Sequence, residues 1–237
     1  MQNIDPLRFF MIYGIQLTVG GILFLIIALL ILRRSRKRLN QIFAMFFISI
    51  ALSTLFNVIY VPLRNPLVVK ALHLITTFFF AWAMVYLLLF NLILLKSKKM
   101  IDRKIQIASI AFWTAVLIGL AIIGFAGGVN IDVTTDWKPV WGQSFFIYEI
   151  VASMLLMFVP TIYFSSQIYQ SFQNAELKKR WKYFLVGIIF YYFIWTGISI
   201  VNFLAIELVR SLWNIILLSC FSAFYILYYG VAKQLEE

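Results

Sequence analysis

His73 and Glu149 have the most chemistry to offer in this sequence, because each is ionisable and each falls inside a long apolar run. Polar groups in hydrocarbon are costly and turn toward a bundle interior or a cavity. Both residues fall near the outer end of their runs, and Asn57, Asn202, Asn214, Tyr13 and Gln16 reach comparable depth on four other runs. Intervals of three, four and seven residues keep side chains on one helical face. They align His73, Thr77, Phe80, Met84 and Asn91 on one stripe, Glu149, Ser153 and Pro160 on a second, and Tyr192, Thr196, Ser199 and Asn202 on a third. Two readings are open. The stripes are either a hydrogen-bonded network between helices or the wall of an outward-facing pocket for a small molecule or lipid. The second reading assigns His73, Glu149, Asn57, Asn202, Asn214, Thr77, Ser153 and Ser199 to ligand binding. A carboxylate at such depth needs a donor. His73 is the nearest in kind, with Asn57 and Asn202 as neutral alternatives, so Glu149 and His73 are expected to touch or to share a ligand or water.

Residue counts exclude most membrane chemistries. One histidine cannot build a three-histidine zinc site or a bis-histidine haem. Asp5, Asp102, Asp132 and Asp136 all fall in loops or the N-terminal tail, which leaves no aspartate pair for intramembrane proteolysis. A Ser–His dyad would need His73, and no Gly-x-Ser-x-Gly accompanies it. The last apolar run holds no lysine for a retinal Schiff base. Cys220 is the single cysteine, so an internal disulfide and a cysteine metal site are excluded. No cofactor is implied.

Helices must hold these side chains, and the composition supplies them. Of the 237 residues 63% are hydrophobic and 12% charged, about half the charged share of a soluble domain; mean hydropathy is +0.95. Continuous runs near the ~20 residues needed to cross a bilayer predict an all-α membrane protein, a single seven-helix transmembrane bundle over 1–237. The expected spans are about 9–32, 42–63, 68–95, 105–126, 144–169, 183–206 and 210–230. The first reads as a true span rather than a cleaved leader, its apolar run being long and unpreceded by basic residues.

Charge sets the expected sidedness. Arg33, Arg34, Arg36, Lys37 and Arg38 stop the first run, and clusters at Lys96 to Lys104 and Lys178 to Lys182 repeat the signal. Cations concentrate on cytoplasmic loops, which predicts the N-terminus outside and the C-terminus inside. On that topology 15 of the 20 Lys and Arg are inside, with Arg8, Arg64, Lys70, Lys138 and Arg210 outside. The net charge of +11 then reflects topology and attraction of the Arg33–Arg38 cluster to anionic inner-leaflet lipid. It does not point to nucleic acid. Localisation to the cell membrane, multi-pass, is expected.

The connections are short apart from Gly127 to Gln143, whose Trp137 and Trp141 read as headgroup anchors, with a lid over a ligand as the sharper alternative. Pro62 and Pro66 bracket a tight outer turn, and Pro160 predicts a kink in the fifth span. Gly124 and Gly128 have the spacing of a close helix approach. Glu207 and Arg210 read as solvated outer-turn residues. The prolines of the first three spans find no counterparts in the last three, which disfavours a repeat-built transporter.

The layout looks like that of animal seven-helix receptors, although Asp-Arg-Tyr and Asn-Pro-x-x-Tyr motifs and the cysteine pair are absent. A closer resemblance begins at Leu177. Leu177-Lys178-Lys179-Arg180-Trp181-Lys182-Tyr183-Phe184-Leu185-Val186-Gly187, with the ending Tyr228-Tyr229-Gly230-Val231-Ala232-Lys233, is similar to the sixth-helix entry and the exit of seven-helix sensor regions that precede prokaryotic histidine kinases. That resemblance implies a non-enzymatic sensor which signals to a separate cytoplasmic partner, the residues to Glu237 holding no output domain. An accessory subunit of a larger membrane complex and a small transporter are the alternatives.

Overall fold

The computed structural model describes residues 6–220 and 222–231. Seven helices in it are long and apolar enough to cross a membrane: Phe10–Arg34, Arg38–Tyr60, Pro66–Lys96, Arg103–Gly128, Gln143–Ser171, Ala175–Leu204 and Glu207–Val231, spans one to seven. The molecule is a multi-pass helical bundle. Residues 1–5 and 232–237, which carry both termini of the expected topology, lie outside the described residues.

Local chemistry sets the helix starts. Asn65 accepts from the amides of Leu67 and Val68, and Pro66 follows it at the first helical position, where its missing N–H costs nothing. Asp102 caps span four through the Ile105 amide. Asn174 caps span six through Glu176 and Leu177. This last cap corrects the expected start at 183: span six begins at Ala175 and takes the Lys178–Lys182 cluster into the helix. The cations lie on aromatic rings there, Lys178 and Lys182 over Tyr169 at 5.0 and 5.8 Å and Arg180 over Tyr229 at 5.3 Å. Their charges reach outward along apolar stems.

Span three is central and spans four and five are peripheral. Over half of span three's most apolar window is buried, 56%, against 22% and 28% for spans four and five. Pro160 takes effect as a widened turn, not a simple break. The helix is π-helical over Ser153–Phe158, and the Val159 amide reaches back to the Met154 carbonyl. A π turn of this kind accommodates a proline by shifting the hydrogen-bond register.

Two ends of the bundle differ in construction. At the basic end, Phe43, Phe46, Phe47, Phe90, Phe184 and Trp181 are fully buried. Phe43 and Phe46 lie parallel at 6.3 Å and the other pairs meet edge-on or tilted, Phe43 with Phe90 at 4.8 Å and Trp181 with Phe184 at 4.6 Å, arrangements aromatic quadrupoles favour. Spans six and seven meet here backbone to backbone. A Cβ on Gly187 would approach the Leu227 Cα to 2.7 Å, and one on Gly230 would approach the Phe184 nitrogen to 2.5 Å.

At the other end a hairpin folds over the bundle. Gly127, at φ 103°, turns the chain out of span four, a conformation that suits glycine alone. Strands β1 (Val129–Asn130) and β2 (Val140–Trp141) pair antiparallel, Val129 opposite Trp141. Asp132 closes the tip by capping a short turn at Val133–Thr135. Its carboxyl is held below the ordinary aspartate range, first by the Thr134 hydroxyl and then by backbone amides and the Lys70 charge. Gly124 and Gly128 both pack against Phe145 of span five, so their spacing serves the root of the hairpin.

Candidate functional site

The hairpin is fastened to three helices. Arg8, just before span one, donates to the Trp137 carbonyl at 3.0 Å. Arg210 of span seven donates to the Pro139 carbonyl at 2.7 Å. Lys138 pairs with Glu207 at 2.8 Å and with Asp136 at 3.1 Å, and the Arg64 guanidinium lies 5.4 Å over the Trp137 ring. The fifth fastening is buried. Trp141, 2% exposed, donates its indole N–H to His73 Nε2 at 3.0 Å, while His73 Nδ1 meets the Tyr60 hydroxyl at 3.3 Å. An indole nitrogen can only donate, so Nε2 must be the acceptor and Nδ1 carries the ring proton.

Beneath the hairpin lies a cavity of about 250 Å³ bounded by spans one, two, three, six and seven. Its rim is charged, formed by Arg8, Lys138, Glu207 and Arg210. A polar belt follows, with Gln16, Asn57, Tyr60, His73, Asn202 and Asn214. The floor is apolar: Phe24, Ile50, Phe80, Leu217 and Phe224. Phe80 lies fourteen residues into span three, about 21 Å along a helix axis. The cavity therefore reaches deep into the bundle, with Phe80 near the middle of the 31-residue span three. Phe24 packs on Phe47 at 5.7 Å and on Phe224 at 4.7 Å, which joins the floor to the aromatic layer below.

The belt is only partly satisfied by the protein. Asn57 donates to Gln16 at 2.6 Å, and Thr77 donates to the His73 carbonyl at 2.9 Å. Asn202 and Asn214 face the cavity and bond to no other described residue. Trp213 also lines it, and the Trp213 indole N–H has no partner among the described residues.

Of the residues expected to bind a ligand, the structure brings His73, Asn57, Asn202, Asn214 and Thr77 to this one cavity. Glu149 and Ser153 line a separate void of about 10 Å³ with Trp113 and Trp195, close to the smallest space that holds one water. Ser153 donates to Glu149 Oε1 at 3.2 Å. Ser199 donates to the Trp195 carbonyl at 2.9 Å, and Glu149 Oε2 and the Trp195 indole N–H are buried without a partner among the described residues. Neither His73 nitrogen points to Glu149, since both are engaged elsewhere. The expected direct contact is thus replaced by two independent sets of partners. Trp195 is the one residue common to both voids.

Five contributors were missed or misread. Trp141 is a buried latch rather than a headgroup anchor. Arg210, expected in solvent, is half-buried and holds the hairpin; Glu207 joins it at the rim. Arg8 and Lys138 had been counted only as outside charges, and their positions flanking apolar runs were the available signal. Among the described residues no three His, Cys, Asp or Glu side chains cluster as a metal site. Protein-family models, curated proteins and solved structures give no match to this chain.

Proposed function

We propose that this protein is a receptor-like or sensor bundle of the cell membrane, which binds a small molecule or lipid beneath its hairpin and passes a helix rearrangement to a cytoplasmic partner. The observation that carries the reading is the cavity itself: capped at one end, floored by packed aromatic rings at the other, and lined by the side-chain amides of Asn202 and Asn214, which have no partner among the described residues. Unpaired polar groups at such depth are costly unless something fills the space. A sealed floor favours retention over passage, which sets a transporter aside. Both nitrogens of the one histidine are engaged, so binding rather than catalysis suits the site.

The proposed orientation places the hairpin outside and the basic end in the cytoplasm, on the 15-to-5 division of cations. Arg33, Arg34, Arg36, Lys37 and Arg38 then meet anionic inner-leaflet lipid. Spans six and seven are the proposed output. They line the cavity near one end and meet through Gly187 and Gly230 at the other, so a ligand that moves them above changes their packing below. The resemblance of the Leu177–Gly187 segment to kinase sensor regions agrees with this direction of travel.

The test is copurification from native membrane, with mass spectrometry of bound small molecules and proteins. A bound small molecule lost in the Asn202→Leu, Asn214→Leu double variant is expected. An unchanged profile in that variant overturns the cavity reading. A stoichiometric membrane subunit, seated on the exposed apolar faces of spans four and five, would instead make the protein an accessory subunit. Orientation is tested by a cysteine at Asn3 in a Cys220→Ser background, and labelling from the cytoplasmic side alone refutes it.

A further inference from the structure

Resting on that cavity reading, the geometry points to a ligand class: a single-chain amphiphile with an anionic head, such as a fatty carboxylate or an alkyl phosphate monoester. The argument follows the cavity downward. Arg8, Lys138 and Arg210 face the rim carboxylate Glu207, and Lys138 also pairs with Asp136, so one positive charge stays in excess and both acids sit on the lysine. Glu207 is taken by Lys138. No carboxylate among the described residues lies within ion-pair distance of Arg8 or Arg210. A guanidinium has five N–H donors. Each arginine shows one hydrogen bond to the hairpin among the described residues, and Arg210 Nε is buried without a partner. Two arginines with donors to spare match the paired oxygens of a carboxylate or phosphate, which arginine binds in a fork.

Below the rim, Asn202 and Asn214 offer neutral amide donors to the same head or to its first carbons. The floor then admits hydrocarbon alone: Phe24, Ile50, Phe80, Leu217 and Phe224 offer no polar side-chain atom. A free inorganic anion would leave this lower part empty, and a neutral hydrocarbon would leave the rim unanswered. At about 250 Å³ the cavity is below the ~300–1,000 Å³ of pockets that take drug-sized ligands, which leaves no room for a two-chain phospholipid. One flexible chain beneath one anionic head fits charge, polarity gradient and size together.

The probe set is dodecanoate, dodecyl phosphate, dodecanol, dodecyltrimethylammonium and acetate, added to the full chain in discs of zwitterionic lipid. Brominated dodecanoate serves as a contact quencher of Trp141, Trp195 and Trp213, which line the cavity. The expected result is binding of dodecanoate and dodecyl phosphate about tenfold or more tighter than dodecanol, as loss of a charge-assisted bond implies. Acetate should not compete. Arg210→Gln and Arg8→Gln should each lower the ratio of dodecanoate to dodecanol affinity, with the helical circular-dichroism signal of each variant as the separate check on folding. Equal affinity for dodecanol and dodecanoate overturns the anionic head but leaves the cavity reading standing. Preference for the ammonium reverses the proposal, competition by acetate removes the chain from it, and failure of every probe to bind removes both readings.

Discussion

Replacing Trp141 by Phe and His73 by Leu, singly and together, tests whether the hairpin is latched from within. The Trp141→Phe variant keeps most of a side chain only 2% exposed and deletes the N–H that reaches His73 Nε2 at 3.0 Å. What remains is a buried acceptor without a donor, costing about 1–3 kcal/mol. His73→Leu orphans two groups, the Trp141 N–H and the Tyr60 hydroxyl, and should cost about 2–4 kcal/mol by the same reasoning. In the double variant the indole donor and its acceptor are absent together. The two losses should therefore fall short of their sum by about 1–2 kcal/mol, within the range for contacting residues. The cycle is measured by thermal unfolding of the purified chain, with reagent access to a cysteine at Val140 in a Cys220→Ser background as a local reading. Greater access in each single variant is expected. Losses that add within about 0.5 kcal/mol, with Val140 equally protected throughout, would refute both the latch and the assignment of the ring proton to Nδ1.

Glu149→Gln and His73→Ala should behave as independent lesions, adding within about 0.5 kcal/mol in unfolding measurements, because the two residues have no common hydrogen-bond partner; strong coupling would restore the pairing. Gly187→Ala gains up to about 1 kcal/mol in helix propensity, yet its new Cβ would press the Leu227 backbone at 2.7 Å. Overpacking of about 1–3 kcal/mol should win, and an unchanged or raised melting temperature would show the spans can separate freely. Asp132 has a folded pKa below its ordinary value because Thr134 and Thr135 donate to it. Its support of the hairpin is present above the ordinary aspartate range and lost as pH falls through the lowered value. Tryptophan fluorescence should report a looser hairpin there, and a pH response surviving in Asp132→Asn would place its origin elsewhere.

Seven helices were legible because hydrocarbon allows a spanning segment little else, and the caps at Asn65, Asp102 and Asn174 then set the starts that hydropathy blurred. The polar belt was legible for the same reason: Asn57, His73, Asn202 and Asn214 had to face inward, and they do. Which interior each would face was not. Consecutive residues turn by about 100°, so Trp195, Ile198 and Asn202 reach the large cavity while Ser199, on a neighbouring line, is buried and bonds the Trp195 carbonyl. Periodicity identifies a stripe without saying which helix lies opposite. The rim was the least visible part. Arg8 and Lys138 belong to segments that hydropathy assigns to water and Arg210 to the first turn of span seven, and they converge only because Gly127 turns the chain back across the bundle.

The two arginines hold the hairpin by carbonyls, those of Trp137 and Pro139, and every residue type has a carbonyl. Such a grip is blind to side-chain identity. Mutational drift can therefore rewrite exposed hairpin positions such as Val133 and Thr134 without lifting the cap, whereas Arg8 and Arg210 are free to change only if the cap itself is abandoned. Among descendants of this sequence the outermost loop should diverge fastest at its tip while its two anchors, far apart in the chain and each in an otherwise apolar setting, persist as a pair or disappear as a pair. The protein has thus separated what it presents to its surroundings from what keeps its cavity roofed.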